Sequence, residues 1–330
     1  MEKNRVDSID VLRGFAIILV VLGHTIEKNG QPNSFLYNSI YSFHMPLFMF
    51  ISGFVTKHSY RLNSEFNKKH ILYVFKKFKN IMIPYLVWAL IINPLFFKNI
   101  TKTIDYNLIL ESVFITNTSF WFLPCLFGLI IVFSIFMGIQ RFFKTKQWLI
   151  DPIILIALMA VIIVIYYFTH NDFIRSIQSY FIPFFIGVLA AKHKKLMQFI
   201  FSNNYVYAFT IILFSLTVGL YGKFTGAPDK IIRLTTGILA LPICFNFVRH
   251  TNIPSTIKKQ LIFIGQHTLV IYVMHFNFIH IFNFPFSDHS NILANSAFLF
   301  FALLITYACI IFSKFFEPSP TLKLFVLGKK

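Results

Sequence analysis

Two residues of different chemical use stand in the first apolar run, SIDVLRGFAIILVVLGHTIE: Arg13, a permanent cation suited to holding an anion, and His24, an imidazole able to move a proton near neutrality. On a helix, eleven residues at about 100° each bring them to within about 20° of one face, while the rise separates them by about 16 Å. They share a face without touching. Asp10, three residues before Arg13, is near enough to pair with it and lies about 40° from His24 around the axis. Ionisable groups in so apolar a run cost about 2.5–3.5 kcal/mol each at mid-bilayer, so all three should face a protein interior or a wet cavity. One wall of that cavity then carries a cation low and an imidazole high.

Further candidates follow along the chain. FLYNSIYSFHMPLFMFISGFVT holds His44 at a depth where its imidazole could line the same cavity as His24. In the same run Pro46 removes a backbone donor and Gly53 permits close helix approach. NTSFWFLPCLFGL places Trp121 near a membrane interface, where aromatic belts form. GQHTLVIYVMHF adds His267 and His275, of which His275 lies deeper in its run. His58, His70, His193 and His289 fall in polar stretches and gain no role from sequence. Metal binding is not expected despite 11 His, because there is no HExxH, no CxxC and only 12 Asp and Glu, mostly in loops. A Ser-His-Asp triad finds no GxSxG and no intramembrane carboxylate after Asp10. Cys125, Cys244 and Cys309 lie scattered in apolar stretches and read as small core residues.

The elements that must position these residues are membrane helices. Of 330 residues, 56% are hydrophobic and 13% charged, where a soluble domain carries about 25% charged, and 44 are Phe. Polar surface is too scarce to cover a compact domain in water. Runs long enough for about 30 Å of hydrocarbon predict an all-α, polytopic membrane protein with about ten helices, over 9–26, 35–56, 78–97, 119–139, 150–168, 173–191, 204–222, 230–248, 261–283 and 292–314. With the N-terminus inside, inner segments hold 22 of the 30 Lys and Arg and outer segments 7, Arg13 lying within the first helix. Both termini are therefore expected in the cytoplasm, and the net charge of +18 reflects topology and anionic headgroups rather than nucleic acid. No cleavable signal, appended soluble domain or repeat is expected, so residues 1–330 read as a single membrane domain.

Taken in order, Arg13-x10-His24, FHMPLFMFISGF, KKFKNIMIPY, FWFLP, IPFFIGVLAAKH and GQHTLVIYVMHF resemble the membrane acyltransferase-3 family. The chain looks closest to its short bacterial members, sugar O-acetyltransferases of the fucose 4-O-acetylase-like kind. The likeness runs from about residue 8 to 280, and the motifs are specific as an ordered set. The resemblance implies transfer of an acyl group, usually acetyl from acetyl-CoA as co-substrate with no bound cofactor, to a hydroxyl of a cell-surface carbohydrate or its lipid-linked precursor. The family's Arg and His map onto Arg13 and His24, and its Phe-x-Ser-Gly-Phe element onto Phe50, Ser52, Gly53 and Phe54. One departure stands out. Where many members show R-x-x-R, this chain has Lys77 and Asn80 ahead of Ile83 and Pro84, so Lys77 with Lys76 or Lys79 would meet the CoA phosphates without bidentate geometry. No esterase-like domain of the kind found in longer members is expected here, so by the resemblance this chain would deliver the acyl group itself.

Within that reading His24 is the general base for the sugar hydroxyl, an acetyl-histidine being a less favoured variant, and Arg13 holds an anionic part of the donor. Asp10, His44, Trp121 and His275 are expected to bind substrate, with Trp121 offering an aromatic face to a sugar. The expected partners are acetyl-CoA, a carbohydrate or glycolipid acceptor and the bilayer of a bacterial inner membrane. The rival class is a transporter or flippase for a lipid-linked sugar, with the same polar residues lining a path. No pair of matching broken helices in two halves supports it.

Overall fold

The computed structural model describes residues 7–29, 34–60, 66–92, 120–143, 147–193, 195, 203–250, 253–279 and 292–328. Among these residues there are twelve α-helices and no strand: α1 Asp7–Lys28, α2 Phe35–Ser59, α3 Phe66–Val87, α4 Phe122–Gln140, α5 Gln147–Thr169, α6 Asp172–Lys192, α7 Asn204–Leu220, α8 Ala227–His250, α9 Ser255–Gln266, α10 Thr268–Ile279, α11 Ile292–Ser313 and α12 Pro320–Leu327. Seven of them, α1, α2, α4, α5, α6, α8 and α11, contain stretches long and apolar enough to cross a membrane. An eighth span is possible by length and composition if α9 and α10 together make one.

The helices fall where apolar periodicity places them, with three differences. The run expected over 261–283 is two helices, α9 and α10, bent by 84°. The polar tetrad Gly265-Gln266-His267-Thr268 interrupts it, and the His267 N–H turns back to the Ile264 carbonyl at 2.9 Å. The third run begins earlier than expected, because α3 extends through the basic stretch before residue 78. It then widens into a π-helical turn over 88–92, and residues 93–97 lie outside the described set, as do 119 and 280–283. A short twelfth helix follows Ser319, whose hydroxyl caps the Leu322 N–H, and ends at Gly328 in the left-handed region at φ 63°.

The chain forms two compact units, residues 1–55 with 183–315 and residues 56–182 with 316–330. In the first, α1 is the central helix and packs against α8, α9, α10 and α11. Its approach to α9 depends on two glycines facing one another's backbones. A Cβ on Gly14 would overlap the Leu261 carbonyl, and one on Gly265 would overlap the Asp10 carbonyl. The same reciprocal device joins α2 to α6, where a Cβ on Gly53 would overlap the Phe184 carbonyl and one on Gly187 that of Phe50. Small residues let helices approach where apolar side chains gain nothing from leaving lipid. Pro46, inside α2, packs its ring against Gly237 of α8.

In the second unit α3 packs against α4 and α12, and α4 against α5. Trp88, 1% exposed, donates its indole N–H to the Val326 carbonyl at 3.0 Å and ties α12 to α3. Gln140 of α4 donates to buried Asp151 of α5. That bond satisfies a carboxylate in an apolar setting.

Candidate active site

The site is built on the C-terminal end of α1. His24 and Glu27 are three residues apart, so they face the same way, and the imidazole Nδ1 lies 3.0 Å from Glu27 Oε2. Tyr41 of α2 closes the triangle: its hydroxyl donates to Glu27 Oε2 at 2.7 Å and stands 3.0 Å from His24 Nδ1. Gly23 leaves room for the Tyr41 ring, whose edge a Cβ there would meet at 2.8 Å. Tyr37, one turn earlier on α2, stacks on Tyr41 with centroids 3.9 Å apart.

This triangle fixes the tautomer. With the phenol proton given to the carboxylate, the contact between Nδ1 and Oε2 requires a proton on Nδ1. In its neutral form His24 then donates through Nδ1 to Glu27 and leaves the lone pair on Nε2. A carboxylate holding one imidazole nitrogen so that the other can accept a proton is the arrangement of a general base and its orienting group. His24 keeps 23% of its side chain exposed, so a substrate can reach the ring.

Two further histidines surround it. His275 of α10 is fully buried and sits 5.4 Å from the His24 ring, centroid to centroid. Phe276 contacts both rings, at 4.5 Å from His24 and 4.3 Å from His275. His44 of α2 is buried and presents its ring to Tyr41 at 4.9 Å. Each of these two is locked by its own helix. His44 Nδ1 is 2.8 Å from the Ile40 carbonyl, and His275 Nδ1 is 3.0 and 2.8 Å from those of Ile271 and Tyr272. A carbonyl only accepts, so both rings carry their proton on Nδ1. His24, His44 and His275 thus lie together in one unit, with Tyr41 and Phe276 between them.

Arg13 and Asp10 form the ion pair their spacing suggests, at 3.6 Å, with Asp10 nearly buried and Arg13 one-third exposed. They stand at the far end of α1, about 16 Å of helical rise from His24. The other anticipated residues belong to the second unit. Trp121 precedes α4 and stacks on Tyr180 with centroids 5.1 Å apart and planes at 26°. On α3, Lys76 is exposed, Lys77 lies over the Tyr73 ring at 5.4 Å and Lys79 over Phe75 at 4.7 Å.

Sequence reasoning missed Glu27 and Tyr41. The i, i+3 spacing in His24-Thr25-Ile26-Glu27 was the available signal for the first; the second depends on how α2 packs. It also passed over His70, which α3 carries in the second unit. There His70 bridges Tyr60, whose hydroxyl is 2.5 Å from Nδ1, and Ser134, whose carbonyl is 2.9 Å from Nε2 and whose hydroxyl also contacts it. Burial pushes the His70 imidazole below its ordinary range.

Residues 6–314 match the sequence profile described as an acyltransferase domain, that of the acyltransferase-3 family. Among curated proteins, the chain is 35% identical over 96 residues to the nodulation protein NolL of Sinorhizobium fredii, covering 27% of this chain and 25% of that protein. It is 29% identical over 157 residues to NolL of Mesorhizobium japonicum, covering 45% and 40%. The chain thus spans a quarter to two fifths of the length of these relatives. No solved structure matches. With that profile running across nearly the whole chain and several apolar helices of membrane-crossing length, the protein is a multi-pass membrane protein belonging to the acyltransferase-3 family.

Proposed function

We propose that the protein transfers an acetyl group from acetyl-CoA to a hydroxyl of a cell-surface carbohydrate or its lipid-linked precursor, with His24 as general base. The observation that carries this reading is the His24, Glu27 and Tyr41 triangle, which leaves the Nε2 lone pair of a partly accessible neutral imidazole to receive a proton. A sugar hydroxyl is too weak an acid to ionise first. Its proton passes to Nε2 as its oxygen attacks the thioester carbonyl. The tetrahedral intermediate then collapses with cleavage of the carbon–sulfur bond, and the CoA thiolate leaves, taking the proton back from His24. Glu27 steadies the transient imidazolium, as a carboxylate on Nδ1 does elsewhere.

Arg13, held by Asp10, is the cation for an anionic part of the donor, which approaches from the side rich in Lys and Arg. Lys76, Lys77 and Lys79 suit the CoA phosphates as point charges. The face of Trp121 suits the apolar face of a sugar ring. The bacterial origin of both relatives favours a bacterial cytoplasmic membrane, with Arg13 near the inner surface and His24 near the outer.

Radiolabelled acetyl-CoA supplied to membranes holding the protein tests donor and acceptor together. Label should enter a glycan or glycolipid fraction and be released by mild alkali as an O-ester would be. Label confined to protein amines, or none in any fraction from the native host, would refute the proposal.

A further inference from the structure

A cation in the unit that holds the base triangle has no part in the reading above. Tyr221 follows α7, and the turn after it passes through Gly222 and Gly226, at φ 74° and 75°, before α8 begins. Arg233 of α8 comes back over the Tyr221 ring, 4.7 Å from its centroid. Its Nε donates to Asp229 Oδ2 at 2.5 Å, and the i, i+4 spacing keeps the two side chains on one face. The edge of the guanidinium formed by Nη1 and Nη2 has no hydrogen-bond partner among the described residues, and 53% of the side chain is exposed. Lys223 and Lys230 are exposed too, so residues 221–233 carry three cations against the one carboxylate of Asp229. Gly237, one further turn along the same face, packs on Pro46 and lies close to the Ser42 carbonyl of α2. That contact turns the face of Arg233 toward α2, where the Tyr37 phenol lies in the fields of both Arg233 and Glu27. Tyr37 in turn stacks on Tyr41, whose hydroxyl meets Glu27 and His24. An exposed ion pair by itself adds little to stability. A guanidinium held at one edge, backed by an aromatic face and open at its fork is instead arranged to bind.

We propose that Arg233 binds an oxyanion carried by the acceptor, a phosphate or a carboxylate, so that the saccharide acetylated is a negatively charged one. This inference rests on the acyl-transfer reading above and specifies the charge of its acceptor. The Nη edge can donate two parallel N–H bonds to two oxygens of such a group, while Asp229 holds Nε and Tyr221 covers a face of the guanidinium. Lys223 and Lys230 add attraction at longer range. Arg233 moves no proton and touches no reacting atom. It grips a part of the acceptor remote from the hydroxyl that meets His24 and thereby decides which saccharides are held there. Arg13, toward the other end of α1, is left to the anionic part of the donor, so the two arginines serve different substrates.

The test reads the charge of the product and the part Arg233 plays in selecting it. Membranes carrying the full chain and the native host's glycans receive labelled acetyl-CoA, and the labelled glycan or glycolipid is passed over an anion-exchange resin at neutral pH. It should be retained. Loss of retention after mild acid hydrolysis would identify the oxyanion as a phosphate, and loss after carbodiimide-driven reduction of carboxyl groups would identify it as a carboxylate; either supports the inference. In Arg233→Gln the KM for the acceptor should rise by about tenfold or more and lose most of its dependence on salt concentration, with KM for acetyl-CoA unchanged. Arg233→Lys, which keeps the charge without the fork, should fall between the two and serves if the glutamine variant does not fold. A neutral labelled product, or an acceptor KM within twofold of wild type in a folded variant lacking the fork, would overturn the inference while leaving acyl transfer standing. Absence of label transfer in the wild type would instead refute the proposed function, and this inference with it.

Discussion

Replacing Glu27 by Gln is the sharpest perturbation of the site, because it changes the charge and donor pattern at one oxygen while keeping the shape. Glu27 Oε2 accepts from His24 Nδ1 at 3.0 Å and from the Tyr41 hydroxyl at 2.7 Å. Both donors go to that one oxygen, so a glutamine with its amide oxygen there keeps the two contacts but loses the negative charge that strengthens the bond to the imidazolium in the transition state. A hydrogen bond to a charged group contributes about 1.5–3 kcal/mol. At 1.36 kcal/mol per factor of ten, its loss in the transition state lowers kcat by roughly 10- to 150-fold. Glu27 is 48% exposed, so solvent screening places the expected loss near the lower end, about tenfold. The assay is the initial rate of label transfer at saturating acetyl-CoA, normalised to protein abundance. Because the two residues act as a unit, His24→Ala with Glu27→Gln should be no slower than His24→Ala alone. A Glu27→Gln rate within twofold of wild type, or additive losses in the double variant, would refute the orienting role.

Gly14→Ala should lower the unfolding temperature of the purified protein in detergent, by an overpacking cost of about 1–3 kcal/mol, since its Cβ meets the rigid Leu261 carbonyl rather than a movable side chain; an unchanged transition would mean the α1 and α9 contact is not as close as described. Arg13→Ala should raise KM for acetyl-CoA more than it lowers kcat, and Arg13→Lys should restore part of the affinity, as titration of donor at fixed acceptor would reveal; a variant with wild-type KM would remove Arg13 from donor binding. In the second unit, His70 has a depressed folded pKa, so the unfolded chain binds its proton first as pH falls below about 6.5, and stability declines from there until the folded imidazole also protonates. His70→Phe should flatten that part of the stability profile between about pH 7 and 5, and an unaltered slope would contradict the assignment.

Much of this was legible because a bilayer imposes simple rules. Apolar runs located α1, α2, α4 to α8 and α11, and the shared face of Arg13 and His24 followed from helical periodicity alone. The Asp10 and Arg13 pair was readable for the same reason, being local to one turn. The bend between α9 and α10 was less so: an apolar count averages over the polar tetrad that breaks the helix. Glu27 escaped because a carboxylate at a helix end looks like an ordinary terminal charge until Tyr41 is known to reach it from α2. The gathering of His24, His44 and His275 was only partly foreseeable. Depth along each run can be estimated from rise per residue, but which faces meet is decided by packing. Glycines such as Gly14, Gly53, Gly187 and Gly265 set that packing, and their partners are far away in the chain, Leu261, Phe184, Phe50 and Asp10 in turn. His70 was set aside as a loop residue because basic side chains disguised the start of α3.

The most direct measurement compares wild type with His24→Ala at equal abundance in membranes given labelled acetyl-CoA and the native host's glycans. General base catalysis contributes about 10²–10⁴-fold, so transfer to the glycan should fall by that factor in the variant while its unfolding temperature stays close to that of wild type. Normal transfer by a folded His24→Ala protein would contradict the assignment of His24 as the base.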